Sequence, residues 1–72
     1  MLEKLAIYRE ICRKSQRQIA QEAGVSQAFV SNIENGFFPL ESSEKRKTIE
    51  KYIIEILEPI AKPKLRMFVD SK

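Results

Sequence analysis

The segment "SQRQIAQEAGVSQAFVSNIENG", residues 15–36, decides the fold because it ends one helical pattern and begins another almost without a loop. Ser15 precedes the first pattern, where its hydroxyl can accept a hydrogen bond from the start of a helix. Gln18 follows at the spacing of a capping box, in which its side chain returns to the amide of Ser15. We therefore predict a helix over residues 16–23, helix 2 of the chain.

A tight turn follows helix 2. Gly24 stands where a left-handed residue must turn the chain, a conformation that glycine adopts without a side-chain clash. Ser26 then offers a second N-cap, so helix 3 is predicted from residue 27 to about residue 35. Two short helices joined so closely must cross at a steep angle.

Helix 3 has one polar and one apolar side. A step of about 100° per residue places five uncharged residues within an arc of about 140°. These residues are Gln27, Ala28, Ser31, Asn32 and Asn35. The opposite side carries Phe29, Val30 and Ile33, which predicts that it packs on helices 1 and 2.

Apolar spacing predicts one helix on each side of this unit. Helix 1 is expected from Leu2 to Arg13, and helix 4 from Ser42 or Ser43 to about Glu58. The apolar arc of helix 4 is broad, which favours burial on two sides or contact with a partner. Its stripe comprises Ile49, Ile53, Ile56 and Ile60, widened by Tyr52, Ile54 and Leu57.

Two segments outside these helices have less regular patterns. Phe37 and Phe38, in the loop before helix 4, are expected to cover the core. Pro59 and Pro63 are expected to end the helical region, and Leu65 to Val69 then reads as either a short strand or a loose extended tail.

The predicted fold class is all-α, a compact domain of four to five helices. We expect residues 1–60 to form this domain and residues 61–72 to be a C-terminal extension, either flexible or used for dimerisation.

Composition narrows the function classes. The chain has 72 residues, 43% of them hydrophobic, and a net charge of +3, which describes a small globular domain that suits a polyanionic partner but does not require one. The single Cys12 and the absence of His disfavour an internal disulfide and the usual zinc sites. We expect no metal, cofactor or membrane span, and a cytoplasmic location.

The stretch "YREICRKSQRQIAQEAGVSQAFVSNIENG", Tyr8 to Gly36, resembles the helix-turn-helix of the Cro and lambda-repressor-like family, also called the XRE family. The helix-turn-helix unit, residues 16–35, has small Ala20, Gly24 at the turn, and apolar Val30 and Ile33 at the matching places. This resemblance implies a third helix that lies in the major groove, usually in a dimer on a palindromic operator.

The resemblance carries Gln27, Ala28, Ser31 and Asn32 to the positions that face base edges. The side-chain chemistry agrees, because Gln and Asn can pair bidentately with adenine and Ala28 can touch a thymine methyl group. The alternative is that these residues only solvate an exposed helix. Phe29 is either a core residue or a contact to sugar and methyl groups.

Other positions match backbone contacts of the family. Gln16 stands at the phosphate-contacting glutamine that begins helix 2, and Asn35 matches a backbone contact after helix 3. Arg13, Lys14 and Arg17 lie beside Gln16 and are predicted to neutralise phosphates, although exposed basic residues are often only surface.

One further pair has a structural role in the family. Arg9 and Glu34 match a partly buried salt bridge that ties helix 1 to the end of helix 3. The sequence departs from the family pattern at Lys14, where relatives usually have an apolar residue.

These observations predict a sequence-specific DNA-binding transcriptional regulator rather than an enzyme. Repression by a homodimer that occupies its operator is favoured, without a small-molecule effector, and activation by contact with polymerase stays open. The alternative is a protein-interaction module that keeps the helix-turn-helix scaffold and has lost DNA binding. The dimer interface would be helix 4, the Leu65 to Val69 segment, or both.

Overall fold

The computed structural model describes residues 1–70, and side chains through Arg66. A 3-10 turn precedes five α-helices, and a π-helical segment joins the last two. The elements are the turn Leu2–Lys4, α1 (Leu5–Ile11), α2 (Gln16–Ala23), α3 (Gln27–Glu34), α4 (Glu44–Tyr52), the π-helical segment Ile53–Leu57 and α5 (Glu58–Asp70). No strand occurs within residues 1–70, so the all-α prediction is confirmed.

A serine hydroxyl caps the N-terminus of three of the helices. Each accepts a hydrogen bond from the amide three residues later, at 3.0, 3.1 and 3.5 Å in chain order. These residues are Ser15, Ser26 and Ser43. The predicted helix starts are thereby confirmed, but the reciprocal half of the capping box is wrong, because the Gln18 side chain donates to Glu22 at 3.1 Å instead of returning to Ser15.

The same backbone turn ends the first three helices. Its left-handed residues are Arg13, Gly24 and Gly36, with φ of 56°, 75° and 90°. In each turn the next amide donates to the carbonyl five residues back, at 3.1, 2.9 and 2.8 Å. Gly24 was expected there, whereas Arg13 adopts a conformation that costs a residue with a Cβ about 1–2 kcal/mol.

One core joins all of the helices. Its buried members are Leu2, Leu5, Tyr8, Ile19, Ala20, Val30, Ile33, Ile49, Tyr52, Ile53, Leu57 and Ala61. The apolar side of α3 therefore packs inward as predicted, and Phe29 is partly buried against the core. Because the interior is filled by apolar side chains of every helix, the outer side of α3 has a fixed orientation.

Residues 44–70 form one continuous helix, which contradicts the expectation that Pro59 and Pro63 end the helical region. The segment expected to be a strand or a tail, Leu65 to Val69, is also helical. The π-helical turn allows the helix to continue through Pro59. The amide of Glu58 donates to the carbonyl of Ile53, five residues back, and this wider turn gives the proline ring room.

Pro63 lies inside α5, where its missing amide and its ring cost about 3 kcal/mol in an isolated helix. Tertiary packing offsets this cost, since Ala61 is fully buried and Leu65 packs against the core. The core thus includes residues beyond position 60. The division of the chain into 1–60 and 61–72 stays a prediction.

The π-helical turn also shifts the apolar stripe. Because the turn contains one extra residue, Leu57 and Ala61 lie on the side of the helix where Ile56 and Ile60 would lie in an ideal α-helix. Leu57 and Ala61 are accordingly buried, whereas Ile56 and Ile60 are each 42% exposed. The predicted stripe is correct at Ile49 and Ile53 and wrong at Ile56 and Ile60.

The loop between α3 and α4 is another correction. Phe37 and Phe38 were expected to cover the core, but they are 72% and 47% exposed. Hydrogen bonds at both ends of the loop hold it in this position. The Phe37 amide donates to Asn32 at 2.8 Å, and Arg46 donates to the carbonyl of Pro39 at 2.9 Å.

Candidate nucleic-acid interface

The outer side of α3 presents the residues expected to read bases. Gln27, Ala28 and Asn32 are exposed, and Ser31 is half-buried. Asn35, just past the helix, is exposed and approaches the Ser31 hydroxyl with its side-chain amide at 3.5 Å. The face is uncharged, and its amide and hydroxyl groups offer donors and acceptors together.

Arg9 and Glu34 form the predicted ion pair across α1 and α3. Nε of Arg9 donates to one carboxylate oxygen of Glu34 at 2.7 Å, and Nη2 donates to the other at 2.9 Å. Nη1 of Arg9 also donates to the carbonyl of Lys14 at 3.0 Å, which fixes the connection between α1 and α2. The pair is bidentate and mostly buried, with side-chain exposures of 19% for Arg9 and 9% for Glu34.

The ion pair stays charged at neutral pH. Burial alone would raise the pKa of the Glu34 carboxyl, but hydrogen bonds from Arg9 and Gln16 outweigh burial and hold that pKa below its usual range. The hydrogen bond to Glu34 likewise raises the pKa of the Arg9 guanidinium. The end of α3 is therefore tied to α1 by full charges.

Gln16 joins this ion pair. Its side-chain amide donates to Glu34 at 3.2 Å, so the predicted phosphate-contacting glutamine at the start of α2 lies beside the end of α3. The residue is half-buried. The second N–H of its side-chain amide and the free backbone amides of the first turn of α2 are the donors through which this corner would meet a phosphate.

The three basic residues near α2 differ in their surroundings. Arg13 and Arg17 are exposed. Lys14 instead has a side chain only 18% exposed, and its ammonium group contacts both carboxylate oxygens of Glu22, at 2.7 and 2.9 Å. The structure thus separates Lys14 from the two arginines with which the sequence grouped it.

Sequence reasoning missed Glu22 and Tyr52. The Tyr52 hydroxyl donates to Glu22 at 2.6 Å, which links α4 to α2. Hydrogen bonds from Lys14, and then from Tyr52, lower the pKa of the Glu22 carboxyl, and burial followed by the bond to Glu22 raises the pKa of the Tyr52 hydroxyl. The only signal in the sequence was a lysine at a position that usually holds an apolar residue.

Two negative findings apply to the described part of the chain. No three side chains of the metal-ligating types gather as a metal site among those described. Within residues 1–70, no helix has both the length and the apolar character needed to cross a membrane.

This arrangement defines a class of protein. Two short helices are joined by a glycine turn, and the second helix exposes polar groups on one side and is buried on the other. Such a pair is a helix-turn-helix. Comparison with family sequence models agrees, because residues 5–39 match the family described as Helix-turn-helix. The chain carries a helix-turn-helix domain of this XRE, or Cro-like, family. The family comprises DNA-binding transcription regulators and is not an enzyme family. Comparison with curated proteins and with solved structures gives no match.

Proposed function

We propose that this protein is a sequence-specific transcriptional regulator that inserts α3 into the major groove of its operator. The observation that carries the proposal is the exposed, uncharged face of α3, together with the burial of Val30 and Ile33 behind it and the ion pair of Arg9 and Glu34 at its end. A face held from behind in this way can meet base edges without rearrangement, so little binding energy is lost in ordering it.

Base reading is assigned to Gln27, Ala28, Ser31 and Asn32. Gln27→Ala or Asn32→Ala is expected to change the preferred operator bases and to weaken cognate binding by about 1–3 kcal/mol. Gln21→Ala is the matched control, because Gln21 is an exposed amide on α2 outside the proposed face. Selection from random duplexes reports the preference of each variant. Unchanged preferences in both α3 variants would contradict the assignment.

Phosphate binding is assigned to Arg13 and Arg17, with Gln16 and Asn35 as neutral contacts. Replacement of Arg17 by methionine is expected to weaken binding to all sequences alike and to reduce the slope of log K against log salt by about 0.9. Lys51→Met is the control, since Lys51 is an exposed cation on α4. A loss confined to one operator sequence would argue against a phosphate contact.

Dimerisation is proposed through α5 and the adjoining end of the π-helical segment. Ile56 and Ile60 are exposed there, and α1 and α5 enclose an apolar groove of about 460 Å³. The groove is lined by Ile7, Glu10, Ile11, Lys64 and Leu65. A dimer that binds two half-sites at once has a much higher affinity for DNA than a single small module. This favours repression by a homodimer on a palindromic operator.

Sedimentation of the full chain tests the dimer. Ile60→Glu is expected to shift the protein to a monomer, whereas Ile54→Glu is expected to leave the dimer intact. Ile54 is equally an exposed isoleucine, at 47%, but it stands two residues from Ile56 and so points to a nearly opposite side of the helix. A wild-type monomer that protects a single half-site would refute the dimeric operator.

The second candidate function is a protein-interaction module on the same scaffold. It is favoured by the loop after α3, where Phe37, Phe38 and Leu40 are all exposed, Leu40 at 81%. Titration of binding to mixed genomic fragments with salt separates the two functions, because binding through several cations weakens steeply as salt rises. Absence of any salt-sensitive DNA binding would support the interaction module.

A further inference from the structure

Glu22 is the centre of a four-residue polar cluster next to the proposed phosphate contacts. Its carboxylate accepts hydrogen bonds from Lys14, Gln18 and Tyr52. The donors come from the α1–α2 connection, from α2 itself and from α4, so the cluster joins three parts of the fold. Tyr52 is 7% exposed and thus holds its hydroxyl at a fixed place.

The cluster fixes the Lys14 ammonium group against the protein. Oε1 of Glu22 accepts hydrogen bonds from the Lys14 ammonium group at 2.7 Å and from the Tyr52 hydroxyl at 2.6 Å. Oε2 accepts a second hydrogen bond from the Lys14 ammonium group at 2.9 Å. If Lys14 turned toward a phosphate, it would break both contacts with Glu22 and leave that carboxylate uncompensated beside a polyanion. Arg13 and Arg17 are exposed and meet no such penalty.

We propose that Glu22 withholds Lys14 from DNA, so that the basic cluster neutralises phosphates through Arg13 and Arg17 and not through Lys14. Glu22 thereby limits the sequence-independent part of the affinity, which comes from phosphate neutralisation, and leaves base reading by α3 with a larger share of the total binding free energy. This inference rests on the proposed DNA-binding function.

The salt dependence of binding tests it, since each phosphate neutralised contributes about 0.9 to the slope of log K against log salt. Binding of the full chain to a duplex of random sequence is measured by fluorescence anisotropy over a range of salt concentrations. Lys14→Met is expected to keep the wild-type slope. Arg17→Met, a matched loss of one cation, is expected to reduce the slope by about 0.9.

Removal of the restraint is the complementary test. Glu22→Gln keeps the shape of the side chain and frees the ammonium group, so the slope is expected to steepen by up to about 0.9, which is nearly threefold in relative affinity for a threefold change in salt. The increase should vanish in the double variant Lys14→Met/Glu22→Gln. Tyr52→Phe removes a hydrogen bond and no charge, and is expected to keep the wild-type slope.

Several results would overturn the proposal. One is a Lys14→Met slope as low as that of Arg17→Met. Another is a Glu22→Gln protein that is folded by circular dichroism and keeps the wild-type slope, and a third is a steepening that persists in the double variant. If Glu22→Gln does not fold, the comparison of Lys14→Met with Arg17→Met decides by itself. A wild-type protein without salt-dependent DNA binding would refute the proposed function, and this inference with it.

Discussion

Replacement of Arg9 by methionine should destabilise the fold by about 3 kcal/mol. The guanidinium makes two hydrogen bonds to the Glu34 carboxylate and one to the carbonyl of Lys14. Methionine retains much of the aliphatic stem but leaves a carboxylate that is 9% exposed with Gln16 as its remaining donor. Removing one partner of a fully buried pair costs about 3–5 kcal/mol, and the partial exposure of Arg9 places this pair at the lower end of that range.

That loss is large for a chain of 72 residues. At about 0.05–0.15 kcal/mol per residue, the whole free energy of unfolding is about 4–11 kcal/mol. A loss of about 3 kcal/mol corresponds to a decrease in Tm of about 12–24 °C for a domain of this size. Urea unfolding followed by circular dichroism at neutral pH measures the change, and the m-value should stay constant if only the native contacts are altered.

Two controls make the test specific to the ion pair. Lys62→Met breaks a surface pair with Glu58, in which Lys62 is 62% exposed, and should cost about 0.5 kcal/mol or less. The double variant Arg9→Met/Glu34→Gln should be less destabilised than the sum of its single variants by about 1–3 kcal/mol, because both remove the same interaction. An Arg9→Met cost no greater than that of Lys62→Met would refute the reasoning.

The acid stability, the helix-ending turns and the register of the C-terminal helix can each be tested. The Glu34 carboxyl has a lowered pKa in the folded protein, so the unfolded chain binds more protons in acid. The free energy of unfolding should therefore fall as the pH drops below about 4. In that range the stability of Glu34→Gln should converge with that of the wild type. Gly24→Ala should destabilise the protein by about 1 kcal/mol because of the positive φ alone, since no atom lies within 4 Å of an added Cβ. Arg13→Gly at the equivalent turn should instead stabilise the protein by about 0.5–1 kcal/mol, as measured by thermal unfolding. Leu57→Ala should cost about 2–5 kcal/mol and Ile56→Ala under about 1 kcal/mol, and equal costs would contradict the register set by the π-helical turn.

The sequence determined the helix-turn-helix because its signals act over a few residues. Ser15 and Ser26 cap helices with their own hydroxyls, and Gly24 supplies the left-handed turn. The polar side of α3 follows from helical periodicity alone. The Arg9 and Glu34 pair came from the family resemblance, and the structure gives its geometry.

Tertiary structure alone decided the C-terminal half and the role of Lys14. Local preference predicts that Pro59 and Pro63 stop a helix, but burial of Ala61 and a π-helical turn before Pro59 let the helix continue. That single extra residue places Leu57, which the sequence assigned only to the widened part of the stripe, fully in the core and turns Ile56 outward. The meeting of Lys14 and Tyr52 at the Glu22 carboxylate likewise follows from the packing of α2 and α4, and its only sequence signal is a lysine where relatives usually have an apolar residue. Such contacts join residues far apart in the chain, and their energies appear only when the helices have packed.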